Sequence, residues 1–171
     1  MKKLVFVALI GLFISTAAFA DHEGFGIGIV GGGGYYGFGT GYGALSLKIP
    51  KVPIFWGISL PWHGGFGLGI TGDFYIFDNN LVTQNMTNDD GTYKFKLDWY
   101  LGLGAFGNFY FSSGYGGADV GFRVPIGLSW HIIKQLELFL ALVPGVGFFI
   151  DNGGVGPHFA GSGEIGLRVW L

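Results

Sequence analysis

Cysteine is missing from all 171 residues. Its absence excludes structural disulfides, thiolate metal sites, Cys nucleophiles and a lipid anchor built on Cys. Charge is also sparse. Asp, Glu, Lys and Arg supply 12% of the chain, where about 25% is usual. No basic run marks a nucleic-acid partner. Beyond Ala20 no uninterrupted apolar run reaches roughly the 18 residues that a spanning helix needs. Aromatic residues, by contrast, reach 18%, and Gly occurs 35 times. Such a chain is not a disordered polar one. Its mean hydropathy of +0.49 is nevertheless high for a surface in water.

The amino terminus has a separate logic. Lys2 and Lys3 precede an apolar core from Leu4 to Phe13, and Ala18-Phe19-Ala20 follows. A charged start, a short apolar core and small residues at a cleavage position make a bacterial-type secretory signal. Cleavage before Asp21 is expected. Residues 1–20 are then the signal peptide, and 21–171 form a single domain.

The design of that domain is clearest between Asp119 and His131. Val120, Phe122, Val124, Ile126, Leu128 and Trp130 are large and apolar. The alternate positions hold Asp119, Gly121, Arg123, Pro125, Gly127, Ser129 and His131. Successive side chains of a strand point to opposite faces, so one face is greasy and the other is not. The length suits a tilted transmembrane strand of roughly 9–11 residues. A soluble β-sandwich strand would alternate in the same way.

The same period recurs along the chain. Phe25, Ile27 and Ile29 mark a first strand, Leu45, Leu47 and Ile49 a second, and Trp56, Ile58 and Leu60 a third. The fourth carries Leu68, Ile70, Phe74 and Ile76, and the fifth Phe95, Leu97, Trp99, Leu101 and Leu103. Asp119–His131 is the sixth. Leu136, Leu138, Leu140 and Leu142 mark the seventh, and Ile165, Leu167, Val169 and Leu171 the eighth. Loops are expected at Gly31–Gly37, Asn108–Gly117 and Asp151–Pro157. The 78–91 connection is long for an inner turn, unless the fourth and fifth strands extend as a hairpin. Pro61, Pro125 and Pro144 are expected at bulges or strand ends, because a closed ring has no free edge to hold them.

Eight such segments predict an all-β fold: a transmembrane antiparallel up-and-down β-barrel of the smallest class. A closed ring pairs its backbone groups while lipid covers its greasy outside. The location that follows is the bacterial outer membrane. Parity then sends Asp73, Lys94, Lys96, Asp98, Arg123, Glu137, Glu164 and Arg168 into the barrel, with Lys48 a candidate to join them. Mixed signs in a narrow lumen should pair, because an isolated buried charge is far costlier. The reading is a plug of salt bridges, and its rival is a narrow polar pore. Trp56, Trp62, Trp99 and Trp130 are placed as interfacial aromatics.

Catalytic and cofactor motifs carry little. Gly67-Leu-Gly69-Ile-Thr-Gly72 and Gly102-Leu-Gly104-Ala-Phe-Gly107 fit G-x-G-x-x-G, but neither opens a helix. His22, His63, His131 and His158 show no metal spacing. Ser129-x-His131 with Glu137 nearby is a weak hydrolase signal. No catalytic residue, cofactor or metal is expected.

Arg123-Val-Pro-Ile-Gly-Leu-Ser-Trp130 followed by Leu136-Glu-Leu-Phe-Leu-Ala-Leu-Val-Pro144 resembles a family of small outer-membrane barrels associated chiefly with spirochaetes. Gly72-Asp-Phe-Tyr-Ile-Phe77 and Asp98-Trp-Tyr-Leu-Gly-Leu-Gly104 are similar too. The resemblance implies an eight-stranded barrel like OmpA, OmpX or OmpW and, for some relatives, surface binding of host proteins. The carboxy-terminal strand resembles the signal read by the barrel-assembly machinery, with Leu171 in place of the usual terminal aromatic and Trp170 one place earlier. The expected function is non-enzymatic. A monomer in contact with outer-membrane lipid serves a structural or surface-interaction role with a charge-plugged lumen. The alternatives are a narrow OmpW-like channel for small or apolar solutes and, last, a lipid-modifying enzyme.

Overall fold

The computed structural model describes residues 24–35, 41–61, 66–88, 91–112 and 115–171. The expected signal peptide at 1–20 lies outside them. Nine strand segments follow one another: β1 Gly26–Tyr35, β2 Tyr42–Lys48, β3 Phe55–Pro61, β4 Phe66–Asn88, β5 Gly91–Ser112, β6 Tyr115–Arg123, β7 Ile126–Ile133, β8 Leu136–Asp151 and β9 Gly154–Trp170. Every described pairing is antiparallel.

The sheet closes. β9 pairs with β1, and β4 pairs with β5, so among the described strands every position in the ring has a neighbour on both sides. β6 and β7 share one position in the ring. Both lie between β5 and β8, β6 over one half and β7 over the other. The ring therefore has eight positions, as the sequence period predicts. Its stagger can be followed along one register row. From Arg168 on β9 the row runs through Gly28, Ser46, Gly57, Thr71, Phe106, Gly121 and Gly147, and re-enters β9 at His158, ten residues away. A stagger of that kind requires strands tilted by about 35–45° to the axis.

Proline explains the split in the sixth strand. Pro125 lies in the gap between β6 and β7 and lacks an N–H for the ladder. Its carbonyl still accepts from Gly102 N at 2.8 Å. Pro144 is placed differently from expectation: it sits inside β8, not at an end. It faces the same gap, where its carbonyl accepts from Val124 N at 2.8 Å. The two prolines thus concentrate their lost bonds at one level of the wall. Pro61 ends β3, as expected.

Three of the expected connections are shorter in the structure. β1 runs on through Tyr35, β5 and β6 reach Ser112 and Tyr115, and β8 and β9 reach Asp151 and Gly154. Much of Gly31–Gly37, Asn108–Gly117 and Asp151–Pro157 is therefore strand. Gly-rich sequence reads as loop, but across a paired ladder it still alternates. Asn152 and Gly153 alone make the last turn, a favoured two-residue hairpin pair. The 78–91 segment takes the hairpin alternative. β4 and β5 pair to Asn88 and Gly91, with register shifts between Tyr75/Phe77 and Asn80/Val82. Beyond Asp73, β4 has no described partner on its β3 side.

The two faces of the wall differ in kind. Outward residues include Ile29, Phe122, Leu142 and Phe159, which are 63%, 72%, 70% and 82% exposed. Buried residues inside the ring include Asp98, Asp119, Arg123, Glu137, Glu164 and Arg168.

Candidate functional site: a charge-filled lumen

Near the end that carries both described termini, the lumen is crossed by an aromatic floor. Phe55 of β3, Tyr75 of β4 and Tyr100 of β5 stack with centroids 4.2 Å and 4.4 Å apart. Glycine makes room for the layer. A Cβ on Gly166 would lie 2.3 Å from the Phe139 ring, and one on Gly127 would lie 2.5 Å from the Tyr100 ring. The Arg168 guanidinium packs over this layer, 4.7 Å from the centroids of both Phe55 and Phe139. A planar cation on aromatic faces keeps an electrostatic partner where water is excluded.

The charges arrive from different strands because alternate residues of every strand point inward. Glu137 of β8 accepts from Arg168 Nη1, Ser129 Oγ and Trp170 Nε1, each at 2.8 Å. Arg168 also donates to Ser46 Oγ from Nε at 3.3 Å and from Nη2 at 3.1 Å. Farther up the lumen, Arg123 Nε lies 3.0 Å from Asp73 Oδ1, and its Nη2 lies 2.8 Å from Glu164 Oε1. Tyr42 donates to the same Glu164 oxygen at 2.5 Å. Asp73, Arg123, Glu137, Glu164 and Arg168 thus form two groups, each built across the barrel from separate strands.

The other named residues lie elsewhere. Asp98 is buried beside Lys96 Nζ at 3.4 Å, Asn80 Nδ2 at 3.0 Å and His131 Nδ1 at 3.7 Å. Lys96 is half-buried, and Lys94 is exposed on the hairpin extension. Lys48 is buried and donates to Ile49 O at 3.3 Å. Trp56, Trp99 and Trp130 belong to the outward-facing series; Trp56 is 38% exposed, and Trp99 stacks on Phe77 at 6.3 Å. Trp62 lies outside the described residues. Ser129 and His131 go to different carboxylates, Glu137 and Asp98.

Sequence reading missed the pair nearest the opposite rim. His158 Nε2 lies 2.6 Å from Asp119 Oδ1, and its Nδ1 lies 3.1 Å from Phe159 O. The two residues are separated by 39 positions and joined only through β8. A signal was present: His158, Ala160, Ser162, Glu164, Gly166 and Arg168 share one parity. Tyr75 and Tyr100 share the inward parity of Asp73 and Asp98, whereas Tyr42, in a Gly- and Tyr-rich stretch, was missed as a lumen residue.

Comparison with protein-family models, with curated proteins and with solved structures gave no match.

Proposed function

We propose that this chain is a bacterial outer-membrane β-barrel of structural or surface-interaction type, with a lumen plugged by its own charges. One observation carries the reading: the molecule is inside out. A ring whose outer wall is Ile, Leu, Val and Phe, and whose interior holds the carboxylates and guanidinia, suits lipid outside. In water that wall would be a continuous exposed apolar patch, far above the few hundred Å² that soluble monomers show. In this reading residues 1–20 direct secretion, β9 engages the barrel-assembly machinery, and the aromatic floor with Arg168 and Glu137 blocks the lumen. Any host or surface protein ligand meets the turns at the rim away from the termini.

The first experiment is planar-bilayer recording of the refolded protein. A folded, inserted and silent barrel supports the plug. Stable current steps would favour the second reading, a narrow channel for small or apolar solutes. That reading has one observation of its own, a cavity in the lumen lined by Asp73, Arg123 and Glu164. In an open channel, Arg123→Ala and Glu164→Ala should both change the conductance. Surface labelling of an epitope inserted at Gly114 tests the interaction role on whole cells.

A further inference from the structure

We propose that the edge of β4 beyond Asp73 is a docking site for an extended, uncharged strand of a partner protein, which adds to the sheet in the place that β3 leaves vacant. β3 meets β4 only as far as Phe55 opposite Asp73. Before Phe55 the chain turns away through Pro50 and Pro53, and proline cannot donate to a ladder. β4 nevertheless runs on to Asn88, paired on its other side with β5. From Val82 to Met86 that register is unbroken, and Val82, Thr83, Gln84 and Asn85 are exposed. Both faces beside this edge are therefore open.

A bulge holds the edge in shape. Asn80 Nδ2 donates to Val82 O at 3.2 Å, to Leu97 O at 3.3 Å and to Asp98 Oδ1 at 3.0 Å, and Thr83 Oγ1 donates to Asn80 Oδ1 at 2.9 Å. The site is thus preorganised before a partner arrives.

The partner is selected by backbone and by charge. An extended polypeptide offers the alternating N–H and C=O groups that a strand edge pairs with. Proteins guard exposed edges with lysine, proline or inward charge. The β5 edge of the hairpin carries Lys94, whereas the β4 edge has no charge and no proline from Asn79 to Asn88. A charged strand would find no counter-charge directly opposite. One face of the hairpin sets Val82 across from Leu97; the other sets Thr83 across from Lys96 and Asn85 across from Lys94. The fitting strand therefore alternates apolar and polar residues.

Symmetry argues against a second copy. Two barrels in one membrane are related by a two-fold axis along its normal, but two identical antiparallel edges pair about an axis perpendicular to their sheet. The hairpin continues the wall, which stands along the normal. This step alone rests on the membrane reading.

The test titrates the refolded protein with the acetylated and amidated peptide Ser-Val-Thr-Val-Ser-Val-Thr and follows amide exchange by NMR. At about ten times the dissociation constant, exchange should slow about tenfold at alternate amides between Val82 and Met86. N-methylation of one alternate set of peptide nitrogens should abolish the effect, and methylation of the other set should not, because a ladder uses one side of a strand. Joining Thr83 to Lys96 through an Asn-Gly turn removes the edge and should abolish the effect while β8 stays protected. The proposal is overturned if the peptide leaves those amides unchanged or if both methylated peptides act alike, and either result leaves the membrane reading standing. It is also overturned if light scattering shows a dimer that becomes a monomer without the hairpin, a result that counts against the membrane reading as well.

Discussion

Glu137 shows what single residues contribute to this interior. It is 2% exposed and accepts from Arg168, Ser129 and Trp170. Its charge is tolerated because three donors, one of them a guanidinium, meet it in the buried interior. Glu137→Ala strands Arg168 without its partner and should cost about 3–5 kcal/mol, read from denaturant unfolding of the refolded protein. The double variant Glu137→Leu with Arg168→Met should cost less than the single one, because no charge then stays buried alone. Lys51 offers the opposite sign. It has φ 65° in the turn closed by Val52 N to Ile49 O at 3.2 Å. That conformation favours glycine, so Lys51→Gly should stabilise by about 0.5–1 kcal/mol in the same unfolding assay. Parity made the inward residues legible in the sequence. Their partners were not legible, because Asp73, Arg123 and Glu164 come from three strands, and register decides which of them meet.

Among the elements, β4 and β5 stand out for their extension. From Thr83 to Asn88 and from Gly91 to Phe95 they pair only with each other among the described strands. Backbone groups with one paired neighbour open locally at low cost. Amide exchange should therefore be fast across this hairpin and slowest in β8 and β9, each of which is paired on both sides. Joining Thr83 to Lys96 through an Asn-Gly turn should leave a folded ring, checked by circular dichroism and by exchange of β8. The sequence read this segment as an over-long connection, with the hairpin as one of two outcomes. Its polar run of Asn79, Asn80, Thr83, Gln84 and Asn85 carries no clean alternation. Only pairing with β5 makes it a strand. At the β6–β7 gap the reverse holds: Pro125 reads as a defect, and the structure places Pro144 across from it.

At the scale of the whole molecule, the membrane reading makes a prediction with a definite sign. Leu142 is 70% exposed on the outer wall. In water, Leu142→Arg would be neutral or favourable. Facing the middle of a bilayer it should cost about 2–4 kcal/mol, measured by unfolding from lipid vesicles. A variant as stable in vesicles as the parent would remove lipid from that wall. The sequence by itself determined the strand class, the number of positions around the ring and the inward face of Asp73, Asp98, Arg123, Glu137, Glu164 and Arg168, though not the place of Lys94, which is exposed on the hairpin extension. All three follow from a period of two, which is local and survives without knowledge of neighbours. Tertiary structure alone decided the register in which β1 meets β9, the ten-residue stagger, the aromatic floor and the pairing of Asp119 with His158. Those depend on register between strands distant in sequence, and a one-residue slip would turn every side chain to the other face.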